Sequence, residues 1–187
     1  MFPAEIDERT QLLLLELRHA DEIFRVVDTY REELREWLPW VDSSQSVENT
    51  REFIRTWTAK RDAGDGFAAG FWHAGQFAGG FGLHAIDTTN LSTGIGYWLA
   101  PSYRGRGYIT RACQLVLDHV FHELKLNRVE IQCAVDNVKS RAIPERLGFV
   151  QEGILRQAAK LTNRYADMVV YSMLAEEWKD AEEATFV

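Results

Sequence analysis

The sequence predicts an α/β, or α+β, chain built on a mixed sheet with helices on both faces. Two observations carry this. Apolar runs, continuous or alternating with period two, recur at residues 10–16, 67–84, 93–99, 128–135, 150–155 and 165–174, as strands do. Between them lie segments whose apolar residues return every three or four positions, as on one face of a helix. The two kinds alternate along the chain, giving the order strand, two or three helices, three strands, helix, strand, helix, two strands. With 187 residues, the expectation is one domain, residues 1–187, with a core large enough to need no metal or disulfide.

The first strand is T-Q-L-L-L-L-E at residues 10–16. Ile23, Val26, Val27, Tyr30, Leu34, Trp37 and Leu38 then mark an amphipathic helix, broken near Tyr30 and ended by Pro39. Ser46 is a cap for the next helix, with Asn49 where a Glu or Gln would complete a capping box. Phe53, Ile54, Trp57 and Thr58 form the inner face of that helix, which packs on the sheet and runs to Gly64. F-A-A-G-F-W-H, an A-G turn and Q-F-A-G-G-F-G-L-H read as a hairpin of the second and third strands. Gly79, Gly80 and Gly82 in its second arm mark a bulge or a close backbone approach.

The fourth strand, residues 93–99, runs into Y-W-L-A-P-S-Y-R-G-R-G-Y-I-T at residues 97–110, which reads as strand end, tight turn and helix start. Ile109, Cys113, Val116, Leu117, Val120, Phe121 and Leu124 give the new helix a stripe over four turns. R-V-E-I-Q-C-A-V is the fifth strand, and D-N-V-K-S-R-A-I-P-E-R-L-G-F a short helix closed at Gly148. Pro144 fits that helix only in its first turns or at a kink. Two last strands end the pattern.

Bulk properties narrow the function. The chain is 46% hydrophobic and 26% charged, as ordinary globular proteins are. No apolar run approaches the ~20 residues of a membrane span, and the N-terminus lacks the basic and apolar regions of a signal peptide; a cytoplasmic protein with no membrane partner is expected. Cys113 and Cys133 fall in apolar positions of a helix and a strand and are expected as buried free thiols; with no clustered His, no metal is expected. The net charge of -7 speaks against nucleic-acid binding and favours cationic partners such as amines or basic polypeptides.

Gly105 and Gly107 free the backbone to turn consecutive N–H groups inward, while the following helix points its positive end at the same spot. That combination suits an anion, best a phosphate pair. No Lys-Ser or Lys-Thr follows, which excludes a Walker loop, and the third glycine of a dinucleotide fingerprint is missing. What remains is R-G-x-G after a strand carrying G-Y-W.

These residues resemble the GNAT superfamily of acyl-CoA-dependent N-acetyltransferases, whose pyrophosphate loop is [QR]-x-x-G-x-[GA]. Arg104 and Gly107 match it, while Ile109 stands where Gly or Ala is usual. G-Y-W-L with R-G-R-G, the N-x-x-S of Asn137 and Ser140, R-L-G-F followed by E-G, and W-L-P-W at residues 37–40 look most like the RimJ/RimL group and its small YdaF-like relatives. The resemblance covers nearly the whole chain. It implies a mixed, mostly antiparallel sheet of about seven strands, splayed between strands four and five, and acetyl-CoA as cosubstrate without a metal. The carrier would lie against Tyr97, Trp98 and Leu99, its phosphates over Arg104, Gly105, Arg106, Gly107, Tyr108, Ile109 and Thr110, and its pantetheine amide on Asn137. It further implies Ser140 as proton donor to the leaving thiolate and Glu152 as general base through a water, with Asp167 and His84 in reserve. Trp37 and Trp40, with His84, would wall the acceptor pocket. Read from the residues alone, Asn137 and Ser140 serve equally as helix caps, the two tryptophans as core seals and Glu152 as a solvent-facing strand carboxylate.

The implied reaction is direct transfer to a primary amine. An α-amine titrates at about 7.7 to 8.0 and a lysine near 10.4, so roughly a tenth of an N-terminus is neutral at pH 7 and a modest base suffices. The expected acceptor is the N-terminal α-amine of a ribosomal or other basic protein. A polyamine or aminoglycoside, or a non-catalytic acyl-CoA-binding module, is the alternative. Oligomeric state stays open, a homodimer or higher homo-oligomer included.

Overall fold

The computed structural model describes residues 1–178. Its strands are β1 (Ala4–Asp7), β2 (Thr10–Leu14), β3 (Gly66–His73), β4 (Gln76–Asp87), β5 (Ser92–Leu99), β6 (Arg128–Ala134), β7 (Val150–Lys160) and β8 (Tyr165–Leu174). They form one eight-stranded sheet in the order β1-β2-β3-β4-β5-β6-β8-β7. Only β5 and β6 run parallel; the other neighbours are antiparallel.

Seven of these strands are those read from the sequence. The eighth, β1, adds one to the expected count: four residues with Ala4 and Ile6 buried pair with β2, too short a run to show a period. β7 continues to Lys160, past the expected end at residue 155, and almost every one of its positions is exposed. An edge strand without a buried face carries no alternation to read.

The helices are α1 (Ala20–Thr29), α2 (Arg31–Arg35), α3 (Val47–Asp62), α4 (Tyr108–Asp118) and α5 (Val138–Arg146). The break between α1 and α2 falls at Tyr30, as the sequence indicates. Ser46 Oγ accepts the Asn49 N–H at 3.3 Å and caps α3. The stripe that begins in α4 continues through a π-helical turn at His119–Glu123. Ile23, Val27, Leu34 and Ile54 pack with Ala68, Trp72 and Phe77 on one face of the sheet. On the other face Ala112, Cys113, Val116 and Leu117 pack with Phe71, Phe81, Ile95, Val129 and Ile131. Burying such side chains stabilises the fold by about 1.5–3 kcal/mol each, so two helical layers hold one sheet between them.

That sandwich leaves a gap between two of its strands. β5 and β6 pair only through residues 92–94 and 128–130. Beyond Gly94, β5 stays with β4 as far as Leu99 and β6 stays with β8 as far as Ala134. The facing edges of residues 95–99 and 131–134 are therefore parted, between what the sequence reads as its fourth and fifth strands.

Candidate active site

At the open end of β5 the chain makes a short turn at Pro101–Tyr103 and enters the glycine loop. Gly105 and Gly107 have φ of 76° and 77°, a left-handed conformation that costs glycine little. A Cβ on Gly105 would meet nothing within 4 Å, and one on Gly107 would first meet Arg111 at 3.7 Å. The glycines therefore answer to backbone shape rather than crowding. Gly107 is the N-cap of α4 without any side-chain cap, and no acidic residue stands in the first turn. Arg111 N–H is the donor that closes onto the Gly107 carbonyl, at 3.1 Å, so the N–H groups of residues 108–110 have no helical acceptor. Arg104 donates to the Leu99 carbonyl and Arg106 to the Ser102 carbonyl, each at 3.1 Å, which tethers two cations beside that helix end. Unmatched donors, a positive helix terminus and two guanidinium groups fit a pyrophosphate. Tyr108 and Ile109 are buried in the core, so the large residue at 109 sends its side chain inward, away from the loop's open surface. Thr110 Oγ accepts from Arg146 at 3.1 Å.

Across the gap, α5 presents its first turn. Asn137 Oδ1 accepts the Ser140 N–H at 3.1 Å and caps the helix. Pro144 sits seventh of the nine residues of α5, deeper than the first turns expected for it. Having no N–H, it cannot serve the carbonyl four residues earlier, that of Ser140. The Tyr97 hydroxyl, on β5, donates to that carbonyl at 3.1 Å instead, and so ties the parted strand to the helix beyond the gap. Burial raises the Tyr97 pKa far above its usual value, which keeps the hydroxyl a donor. Ser140 Oγ lies 3.2 Å from Cys133 Sγ on β6, and burial pushes that thiol up as well. Cys113 and Cys133 are both buried and free.

On the opposite face of the sheet is a cavity of about 460 Å³ lined by Trp40, Phe53, Trp57, Phe77, His84 and Trp98, among others. The Trp40 and Trp98 rings are 5.8 Å apart, and Trp57 meets His84 edge-on at 5.1 Å. Glycines let these rings lie on the strands. A Cβ at Gly80 would come within 2.5 Å of Trp98 Nε1, and one at Gly96 within 2.5 Å of His84 Nε2. The bulge or close backbone approach read at these glycines is found at Gly79, where the register shifts and a Cβ would strike the Trp98 carbonyl, whereas Gly80 and Gly82 seat an indole and an imidazole. His84 stays open to the cavity, yet enough protein surrounds it that desolvation, helped by the charge of Lys60, lowers its pKa. Its ring nitrogens have no hydrogen bond among the described residues.

Residues 9–150 match the acetyltransferase (GNAT) domain family. The chain is a GNAT acetyltransferase. Over 180 residues, 96% of this chain and 98% of the relative, it is 36% identical to YdaF of Bacillus subtilis (strain 168), provisionally named a ribosomal N-acetyltransferase. It is 27% identical to the ribosomal-protein-serine acetyltransferase of Escherichia coli (strain K12), over 92% of this chain and 96% of that one. A solved structure of RimL, the ribosomal L7/L12 α-N-protein acetyltransferase, holds coenzyme A in a disulfide with one of its cysteines. It superposes with a TM-score of 0.88 at 25% identity, covering 92% of this chain and 98% of that one.

In this GNAT enzyme some expected site residues come together and others do not. Tyr97, Asn137 and Ser140 meet at the gap, the loop residues 104–110 lie at its end, and Trp40, His84 and the Trp98 ring line the cavity. Trp37 does not reach it: its indole packs with Ala134, Leu161 and Ala166 beneath Arg164, whose guanidinium lies 5.6 Å from the ring. Glu152 also stands outside the lining. Its carboxylate takes two bonds from Arg128 at 2.6 Å and one from Ser172 at 2.9 Å, at the paired end of β5 and β6, and Arg128 holds its pKa below the usual carboxylate value. A carboxylate so stabilised in its charged form is a poor proton acceptor. Asp167 is occupied too, accepting the Gln157 N–H at 2.7 Å. Phe53 and Trp57, read as residues packing on the sheet, roof the cavity instead; the glycine pairing Gly82↔Gly96 beneath them is the signal that something flat occupies that face.

Proposed function

We propose that this acetyltransferase, acting in the cytoplasm as one domain, transfers the acetyl group of acetyl-CoA directly to a primary amine, the N-terminal α-amine of a ribosomal or other basic polypeptide. Acetyl-CoA, when bound, supplies the acetyl group as a thioester. The loop residues 104–110 hold the phosphates, the parted edge of β5 from Tyr97 to Leu99 offers main-chain groups to the pantetheine, and Asn137 and Ser140 face it from α5. The CoA bound by RimL supports this reading, as do the ribosomal-protein acceptors named for relatives.

The observation that carries the proposal is the placement of the His84 imidazole, open to the aromatic cavity and laid over Gly96 on the strand that opens toward the gap. Desolvation makes the ring a weaker base but leaves it unprotonated at pH 7, with a free lone pair for the proton of an amine that has bonded to the acetyl carbon and so become far more acidic than the free ammonium. Ser140 supplies a hydroxyl on the other side of the sheet for the departing thiolate. Holding amine and thioester in one place provides the larger effect, roughly 7–11 kcal/mol in well-oriented systems. The test is release of CoA thiol from acetyl-CoA in the presence of polypeptides with free N-termini, with mass spectrometry locating one acetyl on the α-amine. Tight acetyl-CoA binding without thiol release on any amine overturns it.

A further inference from the structure

We infer that the amine accepted in this cavity is carried by a bulky, uncharged apolar or aromatic group: a polypeptide beginning with a residue such as Phe, Leu or Met, in preference to Ser, Ala or a polyamine. The inference rests on the acetyl-transfer reading above and narrows its acceptor. Its first ground is size. At about 460 Å³ the cavity falls within the roughly 300–1,000 Å³ of pockets that enclose whole small ligands, far more room than a hydroxymethyl or methyl side chain fills.

The second ground is the chemistry of the walls. Trp40, Phe53, Trp57, Phe77 and Trp98 stand among its walls, and the residues of the lining with polar groups on non-indole side chains are Ser43, Ser44, Asn49, Thr50, His84 and Tyr97. Among the described residues no carboxylate lines it. The Asn49 carboxamide oxygen is already taken, by the Gln45 N–H at 3.2 Å and the Ser46 hydroxyl at 2.9 Å. A polyamine brings several ammonium groups, and each must find a counter-charge or stay in water. The charge nearest this aromatic wall has the wrong sign: the Lys60 ammonium lies 5.0 Å from the Trp57 ring centre and acts on His84 as a positive charge, while Asp65, 3.8 Å from that ammonium, is already paired with it. The chain's net charge of -7 is therefore carried outside the cavity, where it can attract the body of a basic polypeptide without setting which residue bears the amine.

The third ground is exposure at the mouth. Trp40 is 41% and Phe53 47% exposed, two large rings left open at the rim of a cavity whose interior is also aromatic. Such a surface gains by covering itself with apolar substrate. The gain is realised with the amine held toward His84, since Tyr97, the other titratable residue of the lining, turns its hydroxyl to the Ser140 carbonyl.

The experiment uses the full chain and a peptide series identical except at the first residue: Phe, Leu, Met, Ser or Ala. Thiol release from acetyl-CoA reports turnover, and calorimetry on the CoA-loaded enzyme reports binding of phenylalaninamide, serinamide and spermidine. The expected result is kcat/KM at least tenfold higher for Phe, Leu and Met than for Ser and Ala, with phenylalaninamide binding and spermidine not. Trp57→Ala should erase that preference and Trp57→Phe keep it, both variants retaining acetyl-CoA affinity as evidence of folding. Preference for Ser or Ala, or tight spermidine binding, overturns the inference and leaves acetyl transfer standing. Binding of phenylalaninamide with no amine acetylated supports the apolar pocket and overturns acetyl transfer instead.

Discussion

Replacing Tyr97 by Phe removes one hydroxyl and leaves the ring. The Ser140 carbonyl then loses its donor, because the residue four positions on, Pro144, has no N–H to offer. An unsatisfied buried acceptor costs about 1–3 kcal/mol; this bond is only part-buried, which puts the expectation at about 1–2 kcal/mol. For a domain of this size that is a fall in Tm of roughly 2–8 °C. The same loss loosens α5, which carries Asn137 and Ser140, so acetyl-CoA affinity should fall with stability. The discriminating assay is a double-mutant cycle by calorimetry with Pro144→Ala. Alanine restores an N–H at 144, which can close onto the Ser140 carbonyl as in an ordinary helix. Tyr97→Phe should then cost little, giving a coupling of about 1 kcal/mol or more between two residues distant in sequence. An equal cost in both backgrounds would show that the hydroxyl does not serve that carbonyl.

Other expectations are as direct. His84→Gln should lower kcat by about 10²–10⁴-fold, the usual worth of a general base. Because desolvation disfavours the imidazolium, wild-type kcat/KM should carry a limb lying below pH 6.5 in addition to the limb of the substrate amine near about 7.7 to 8.0; the variant should lose the first and keep the second, and an unchanged pH profile would reject the assignment. Gly107→Val places a branched side chain at φ 77°, and isothermal titration should show acetyl-CoA affinity reduced at least tenfold by about the strain and lost donors expected there; unchanged affinity would mean the loop is no cradle. Glu152→Gln should change turnover less than threefold. It should also flatten stability on the acid side: a carboxylate whose pKa the fold holds below 4.5 contributes above that value and ceases to as pH falls through the lowered one, so urea midpoints at pH 7 and pH 4 will separate wild type from variant.

What was legible in the sequence shares one property: it is settled within a few residues. The Ser46 and Asn49 cap, the break at Tyr30, the Ala-Gly hairpin turn and the left-handed glycines 105 and 107 each follow from local backbone chemistry. β1 and the far end of β7 escaped because one is too short and the other too exposed to show a period. The pairing of Glu152 with Arg128 was not legible because the two lie 24 residues apart on strands that are not neighbours in the sheet.

By itself, then, the sequence determined the helices and seven of the eight strands, the anion-ready loop and the family these resemble, since periodicity and turn geometry are properties of short stretches of chain. The tertiary structure alone decided which rings share a cavity. His84 stands over Gly96, and Trp98 over Gly80, through a strand register that puts Gly82 opposite Gly96 and Gly80 opposite Trp98. Tyr97 meets Ser140 only because two parallel strands part after three residue pairs. Register and parting arise from the packing of both helical layers on the sheet, a sum over the whole core that no local window contains.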